Sequence, residues 1–160
     1  RKKVKDMLNI KDFPTNNFRK KRKWKKQRIE QGFCDADTFD LSDYWIELMI
    51  ESLKKFKEVN DGHPISMTEE DWDAILNEIL MNLEVAKNGI PNQYEAEYDE
   101  YLYSLSLIRQ DKHEMSRSNN LDNSIKDKYF KEQERIVREQ KYHLSHAFDL
   151  ITKYYFNLWW

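Results

Sequence analysis

Six apolar residues, Trp72, Ile75, Leu76, Ile79, Leu80 and Leu83, recur at spacings of three and four. That period fits one face of an α-helix. The segment also carries its own boundaries. Thr68-Glu69-Glu70-Asp71 resembles a capping box, with Asp where Glu is usual, and Gly89 with Pro91 closes the run. A face this wide must be covered by other helices. The chain holds only three Gly and three Pro in 160 residues, so it has few places to turn tightly and should use long helices. The expected fold is all-α: a helical bundle of about four main helices with antiparallel neighbours, preceded by a basic N-terminal helical arm.

The other helices follow from the same signals. Pro14-Thr15-Asn16-Asn17 reads as a turn that caps a helix over about 18–31, and Gly32 stops it. Asp40 or Ser42 caps a helix over 42–59 with the stripe Trp45, Leu48, Met49, Leu53 and Phe56. Asn60-Asp61-Gly62-His63-Pro64 ends that helix. Asn92 opens a helix to about 115 with the stripe Tyr94, Tyr98, Tyr101, Leu102, Leu105 and Ile108. Ser116 to Asn123 reads as a loop. The last helix covers about 124–158 with Ile136, Leu144, Ala147, Phe148, Ile151, Tyr155 and Leu158 on its stripe. It would be about 50 Å long, more than a compact four-helix body needs, so part of it projects or pairs with another chain.

Charge divides the chain in two. Residues 1–31 hold thirteen Lys/Arg and three Asp/Glu, while residues 32–160 hold fourteen and twenty-six. The reading is a basic arm, 1–31, on an acidic helical domain, 32–160. A single cysteine, Cys34, forms no internal disulfide, which favours a reducing compartment. No apolar run approaches the roughly 20 residues that span a bilayer, so a membrane is not expected as a partner.

The segments at 32–92 and near the end carry a resemblance. Gly32-Phe33 with Asp35, Asp37 and Thr38 is followed by Leu53-Lys54-Lys55-Phe56-Lys57-Glu58 and Gly62-His63-Pro64. Then come Thr68-Glu69-Glu70-Asp71-Trp72-Asp73 with Ile75-Leu76, and Lys153-Tyr154-Tyr155-Phe156 with Leu158-Trp159. This ordered pattern resembles an uncharacterised family of small bacteriophage proteins, with Phe39 where that family usually has Trp. The resemblance implies a phage origin and the cytoplasm of an infected bacterial host. It assigns no activity to any position.

Four constellations are candidates for chemistry. Arg19, Lys20, Lys21, Arg22, Lys23, Lys25, Lys26 and Arg28 place eight cations in ten positions around Trp24. Cations neutralise phosphates, and an indole stacks on a base, so this run is a nucleic-acid-binding candidate. Asp35, Asp37, Asp40 and Asp43 offer oxygens to Mg²⁺ or Ca²⁺, or else cap the next helix. Glu139, His143 and His146, at i, i+4 and i+7 with Asp149 nearby, offer a second metal set, although three ligands from one helix suit zinc poorly. The end, Tyr154, Tyr155, Phe156, Trp159 and Trp160, is too aromatic for one helical face and reads as core or as a partner-binding patch.

A nucleotide pyrophosphatase would need inward carboxylates, and the helical wheel turns Glu47, Glu51, Glu78 and Glu100 away from the apolar stripes, with Glu97 at an edge. No Gly-rich phosphate loop is present. The leading expectation is a non-enzymatic, cofactor-free protein that binds a nucleic acid or a host nucleic-acid-handling protein, in a homo-oligomer and with counter-defence as its setting. The alternatives are a metal-dependent nucleotide-processing enzyme and a nucleotide sponge.

Overall fold

The computed structural model describes residues 15–60, 62–110 and 124–158, with the side chains of 108–110 excepted. Among these residues the chain is all-helical. The helices are α1 (Phe18–Gln31), α2 (Leu41–Val59), α3 (Glu69–Asn88), α4 (Glu95–Gln110) and α5 (Ser124–Tyr154), and α5 runs into a 3-10 turn, Tyr155–Asn157. The predicted loop 116–123, Ile108 as a core residue, and Trp159 and Trp160 lie outside what is described.

The α3 helix forms as its sequence dictates. Thr68 Oγ1 accepts the Asp71 N–H at 3.1 Å, and Glu69, Glu70 and Asp71 fill the first turn, where the helix dipole favours anions. Gly89 ends the helix at φ 66, its N–H bonded to the Val85 carbonyl. Trp72, Leu76, Ile79, Leu80 and Leu83 are buried, and Ile79 and Leu83 are completely enclosed. They form the core with Ile50 and Leu53 of α2 and Ala147 of α5, with Ile75 packed at the edge. Each such aliphatic side chain contributes roughly 1.5–3 kcal/mol by leaving water.

The α2 helix corrects the expected stripe. Trp45 is 57% exposed, and the buried face is Ile50 and Leu53, flanked by Ile46, Met49 and Phe56. This helix has apolar residues on two sides, and the side with Ile46, Ile50 and Leu53 meets α3. Lys57 reaches Asp73 at 2.7 Å, Lys54 reaches Glu84 at 2.8 Å and Lys87 reaches Glu47 at 3.6 Å, so α2 and α3 run antiparallel.

The α5 helix is a spine of about 46 Å. Along its C-terminal half α3 runs antiparallel. Trp72 meets Tyr154 edge to face at 5.8 Å, and His146 meets Glu78 at 2.8 Å. His143 meets Asn82 at 2.7 Å, and Gln140 donates to the Ala86 carbonyl at 3.0 Å. Beyond Gly89 the same register continues into α4. Asn92 donates to the Tyr129 carbonyl at 3.1 Å, and Tyr98 stacks on Tyr129 at 4.1 Å. So α3 and α4 lie end to end along α5, rather than side by side around a common axis. The Asn92 side chain also accepts the Tyr94 N–H, which turns the chain before α4 begins at Glu95, later than expected.

The other stripes also differ from expectation. Leu102 on α4 is 44% exposed, and Phe148 and Tyr155 at the α5 end are exposed, while Leu150 and Tyr154 pack on the core in their stead. The α5 helix stops at Tyr154, short of 158, where the chain tightens into the 3-10 turn.

Candidate nucleic-acid interface

The α1 helix is capped at both ends. Asn17 Oδ1 accepts the N–H groups of Arg19 and Lys20 at 3.0 and 3.2 Å. Gly32 takes the left-handed conformation, φ 86, and donates to the Arg28 carbonyl. Eight like charges on fourteen residues repel along the helix, so α1 gains from nearby anions.

Some of those anions come from the loop between α1 and α2. Asp37, almost enclosed, accepts a two-pronged bond from Arg28: Nε to Oδ2 at 2.9 Å and Nη2 to Oδ1. Its Oδ2 also accepts the Cys34 N–H at 2.7 Å. Burial alone would raise the Asp37 pKa, but the hydrogen bonds from Arg28 and Cys34 outweigh it and hold the carboxyl below its ordinary value. Asp35 accepts from Lys23 Nζ at 2.7 Å and Gln27 Nε2 at 2.6 Å, bonds that lower its pKa, the Lys23 bond most. The Tyr44 hydroxyl, at the start of α2, donates to the Gly32 carbonyl. These contacts clasp the C-terminal half of α1 to the body.

The cation run therefore divides. Lys23 and Arg28 face the loop, and Lys26 lies 3.5 Å from Glu30 on its own helix. Arg19, Lys20, Lys21, Arg22 and Lys25 make no ion pair among the described residues. Trp24 is half-buried and shares its side of α1 with Lys21, Gln27 and Arg28. The outer side carries Arg19, Arg22, Lys25 and Lys26, with the exposed apolar residues Phe18 and Ile29 between them. The indole expected to stack on a base thus sits on the inner side of the helix.

The two candidate metal sets do not converge. Asp35 and Asp37 are engaged by α1. Asp40 stands at the α2 N-cap position with no side-chain cap bond, and Asp43 is half-buried and partnered. Glu139 bonds Arg135 at 2.7 Å, while His143 and His146 turn to Asn82 and Glu78 of α3. Asp149 is exposed. Among the described residues no three His, Cys, Asp or Glu side chains gather as metal ligands.

Glu47 also departs from expectation. Its side chain is 14% exposed and faces Lys87 in the α2–α3 seam, rather than pointing away. Glu78 likewise reaches across to α5. The Cys34 thiol is fully buried, and burial pushes its pKa up, which disfavours the thiolate. At the C-terminal end Tyr154 packs on Trp72, with Lys153 over its ring at 4.9 Å, while Tyr155 and Phe156 are exposed.

The clasp had a signal in the sequence, an acidic loop two residues past a glycine stop at the end of a basic helix. Its partners could be named only once Gly32 was known to turn that loop back along α1.

No protein-family model, curated protein or solved structure matches this chain. Among the described residues no helix is long and apolar enough to cross a membrane.

Proposed function

We propose that this is a non-enzymatic protein of phage origin that binds nucleic acid through α1, in a basic arm on an acidic body of four helices. The observation that carries the reading is the pairing pattern of α1. The helix is anchored through Arg28 and Asp37, yet five of its cations make no ion pair among the described residues. Unpaired cations on a fixed rod attract a phosphate backbone and release its counterions without reading sequence. The reading includes a homo-oligomer, which would set several such rods on one strand, and a counter-defence role in the host cytoplasm.

The test is fluorescence anisotropy with single-stranded DNA, RNA and duplex DNA across a salt series. Five phosphate contacts give a slope of log K against log salt of about −3.5 on single strands and about −4.5 on a duplex. A variant with Arg19, Lys20, Lys21, Arg22 and Lys25 changed to Gln should lose binding and flatten the slope. Binding that survives this variant with its slope intact overturns the reading.

A second reading has its own support. Glu69, Glu70, Asp71 and Asp73 at the start of α3, and Glu95, Glu97, Asp99 and Glu100 on α4, are all exposed. Such a surface suits a host protein's nucleic-acid channel. Under that reading the protein competes with nucleic acid for the host protein and binds none itself. Metal-dependent nucleotide processing and nucleotide storage draw less support, because Glu47, Glu78, Glu84 and Glu139 are engaged by Lys87, His146, Lys54 and Arg135.

A further inference from the structure

A hollow on the acidic body is cationic. Residues 32–160 carry twenty-six acids to fourteen bases, yet this space of about 340 Å³ is lined by four cations and one carboxylate. Lys128, Lys131, Arg135 and Arg138 line it from α5, where their spacing of three, four and three puts them on one side of the helix. Gln93 and Tyr94 line it from the turn before α4. That turn is fixed on α5, because Asn92 donates to the Tyr129 carbonyl at 3.1 Å and to Gln133 Oε1 at 3.3 Å, and its Oδ1 holds the Tyr94 N–H. The one carboxylate is already answered: Glu132 accepts both prongs of Arg135, at 2.9 and 3.0 Å. Arg138 lies 3.9 Å from Glu134, at the limit of an ion pair. Among the described residues, Lys128 and Lys131 make no ion pair, and the Tyr94 hydroxyl and Gln93 amide make no hydrogen bond.

We propose that this hollow holds a phosphate of a nucleic-acid strand, as a second anchor apart from α1. Phosphate oxygens accept hydrogen bonds from Lys128, Lys131 and Arg138, and from the Tyr94 hydroxyl and the Gln93 amide. An apolar or cationic ligand would leave those donors without acceptors. The volume is at the lower end of the roughly 300–1,000 Å³ of ligand pockets, which leaves room for a sugar beside the phosphate. The half-buried Tyr94 ring gives that sugar or its base an apolar surface. The position agrees with the first anchor. Tyr44 at the start of α2 bonds Gly32 at the end of α1, and Glu47 faces Lys87, in the last turn of α3. The α1 clasp and the α5 hollow therefore lie toward the same end of α3. The inference rests on the reading that this protein binds nucleic acid, and it names where a further phosphate sits.

Anisotropy with single-stranded DNA across a salt series tests it. The unaltered chain should show a slope of log K against log salt steeper by about 1.4 than α1 alone gives, from two further contacts. Lys128→Gln/Lys131→Gln should remove that increment and weaken binding by about tenfold. Lys126→Gln/Lys141→Gln takes the same charge from exposed positions of α5 that do not line the hollow, and should leave the slope unchanged. All four lysines are exposed, so the circular dichroism spectrum should not change in either variant. The five-fold α1 variant, run in the same series, separates the two claims. If it loses binding while Lys128→Gln/Lys131→Gln behaves like its charge-matched control, the α5 site is overturned and the α1 reading stands. If it keeps its slope while Lys128→Gln/Lys131→Gln flattens it, the α5 site stands and the α1 reading falls. An unaltered chain that binds no strand overturns both.

Discussion

At the scale of single residues, the pair Arg28–Asp37 decides how α1 is held. Asp37 has a side chain 4% exposed and Arg28 one 20% exposed, so neither can fall back on water if its partner is removed. Changing Asp37 to Asn strands the guanidinium. Breaking a buried pair from one side costs about 3–5 kcal/mol, whereas replacing both partners by apolar side chains is far milder. The expected result is that Asp37→Asn releases α1, read as faster hydrogen exchange at the Cys34 amide that Asp37 holds, and that Arg28→Met/Asp37→Leu loses less stability than Asp37→Asn in chemical denaturation, although its Cys34 amide, left without an acceptor, stays unprotected. The pH dependence has a definite sign. The folded Asp37 carboxyl titrates below its unfolded value of about 3.9, so its contribution is complete above that value. It is lost as pH falls through the lower, folded pKa. Exchange at Cys34 should therefore be flat through neutral pH, after correction for intrinsic rates, and should rise only in strong acid.

At the scale of elements, the two left-handed glycines make a matched comparison. Gly32 sits at φ 86 with open space where a Cβ would go. Gly89 sits at φ 66, and a Cβ there would come 3.1 Å from Gln140 Nε2 and 3.2 Å from its Cδ. That amide donates to the Ala86 carbonyl and cannot swing aside without losing the bond. Gly32→Ala should lose about 1 kcal/mol from backbone strain alone, and Gly89→Ala more, by a further 1 kcal/mol or so. Chemical denaturation of the two variants side by side checks the order.

The same elements show what could be read ahead. The α3 helix was legible from Thr68 to Gly89 because its six recurring apolar residues share one face, with Met81 the exposed exception. The α2 helix was not, because Trp45 and Leu48 lie on one side while Ile46, Ile50 and Leu53 lie on another. Only the position of α3 chooses between them. Phe148 was misread for a related reason, since α5 carries exposed apolar residues, Val137 and Phe148, beside its inner stripe, and periodicity alone does not say which are inside. The α1 cations were legible by composition. Their division into clasped and unpaired sets was not, because Arg28 and Asp37 meet through a chain reversal.

At the scale of the molecule, the body is uneven along its length. Among the described residues, three helices share the core around Ile79 and Leu83, whereas beyond Gly89 only α4 faces α5, and α4 buries no side chain completely. The α4–α5 half rests on the Tyr98–Tyr129 stack, on Phe130 at 5.8 Å from Tyr98, and on the Asn92 bonds. Regions with few buried contacts open locally well below the global unfolding free energy. Hydrogen exchange should therefore find α4 amides exchanging much faster than those of Trp72 to Leu83, and equal protection of the two would contradict this account. Charge is uneven too. The acids of the 32–40 loop restrain the basic helix at one end and leave Arg19, Arg22 and Lys25 outward.

The elbow at 89–94 has a wider consequence. It sets the phase between two stretches of chain that both read against one rod. One residue inserted just past it, inside the first turn of α4, would turn the rest of that helix by about 100° and advance it by about 1.5 Å, taking Tyr98 off Tyr129. An ordinary surface connection absorbs an indel at little loss. The stretch from Asn92 to Tyr98, held to Tyr129 at both ends, does not, so its number of residues is constrained more tightly than their identity, in the way a gear tolerates a change of metal but not of tooth count.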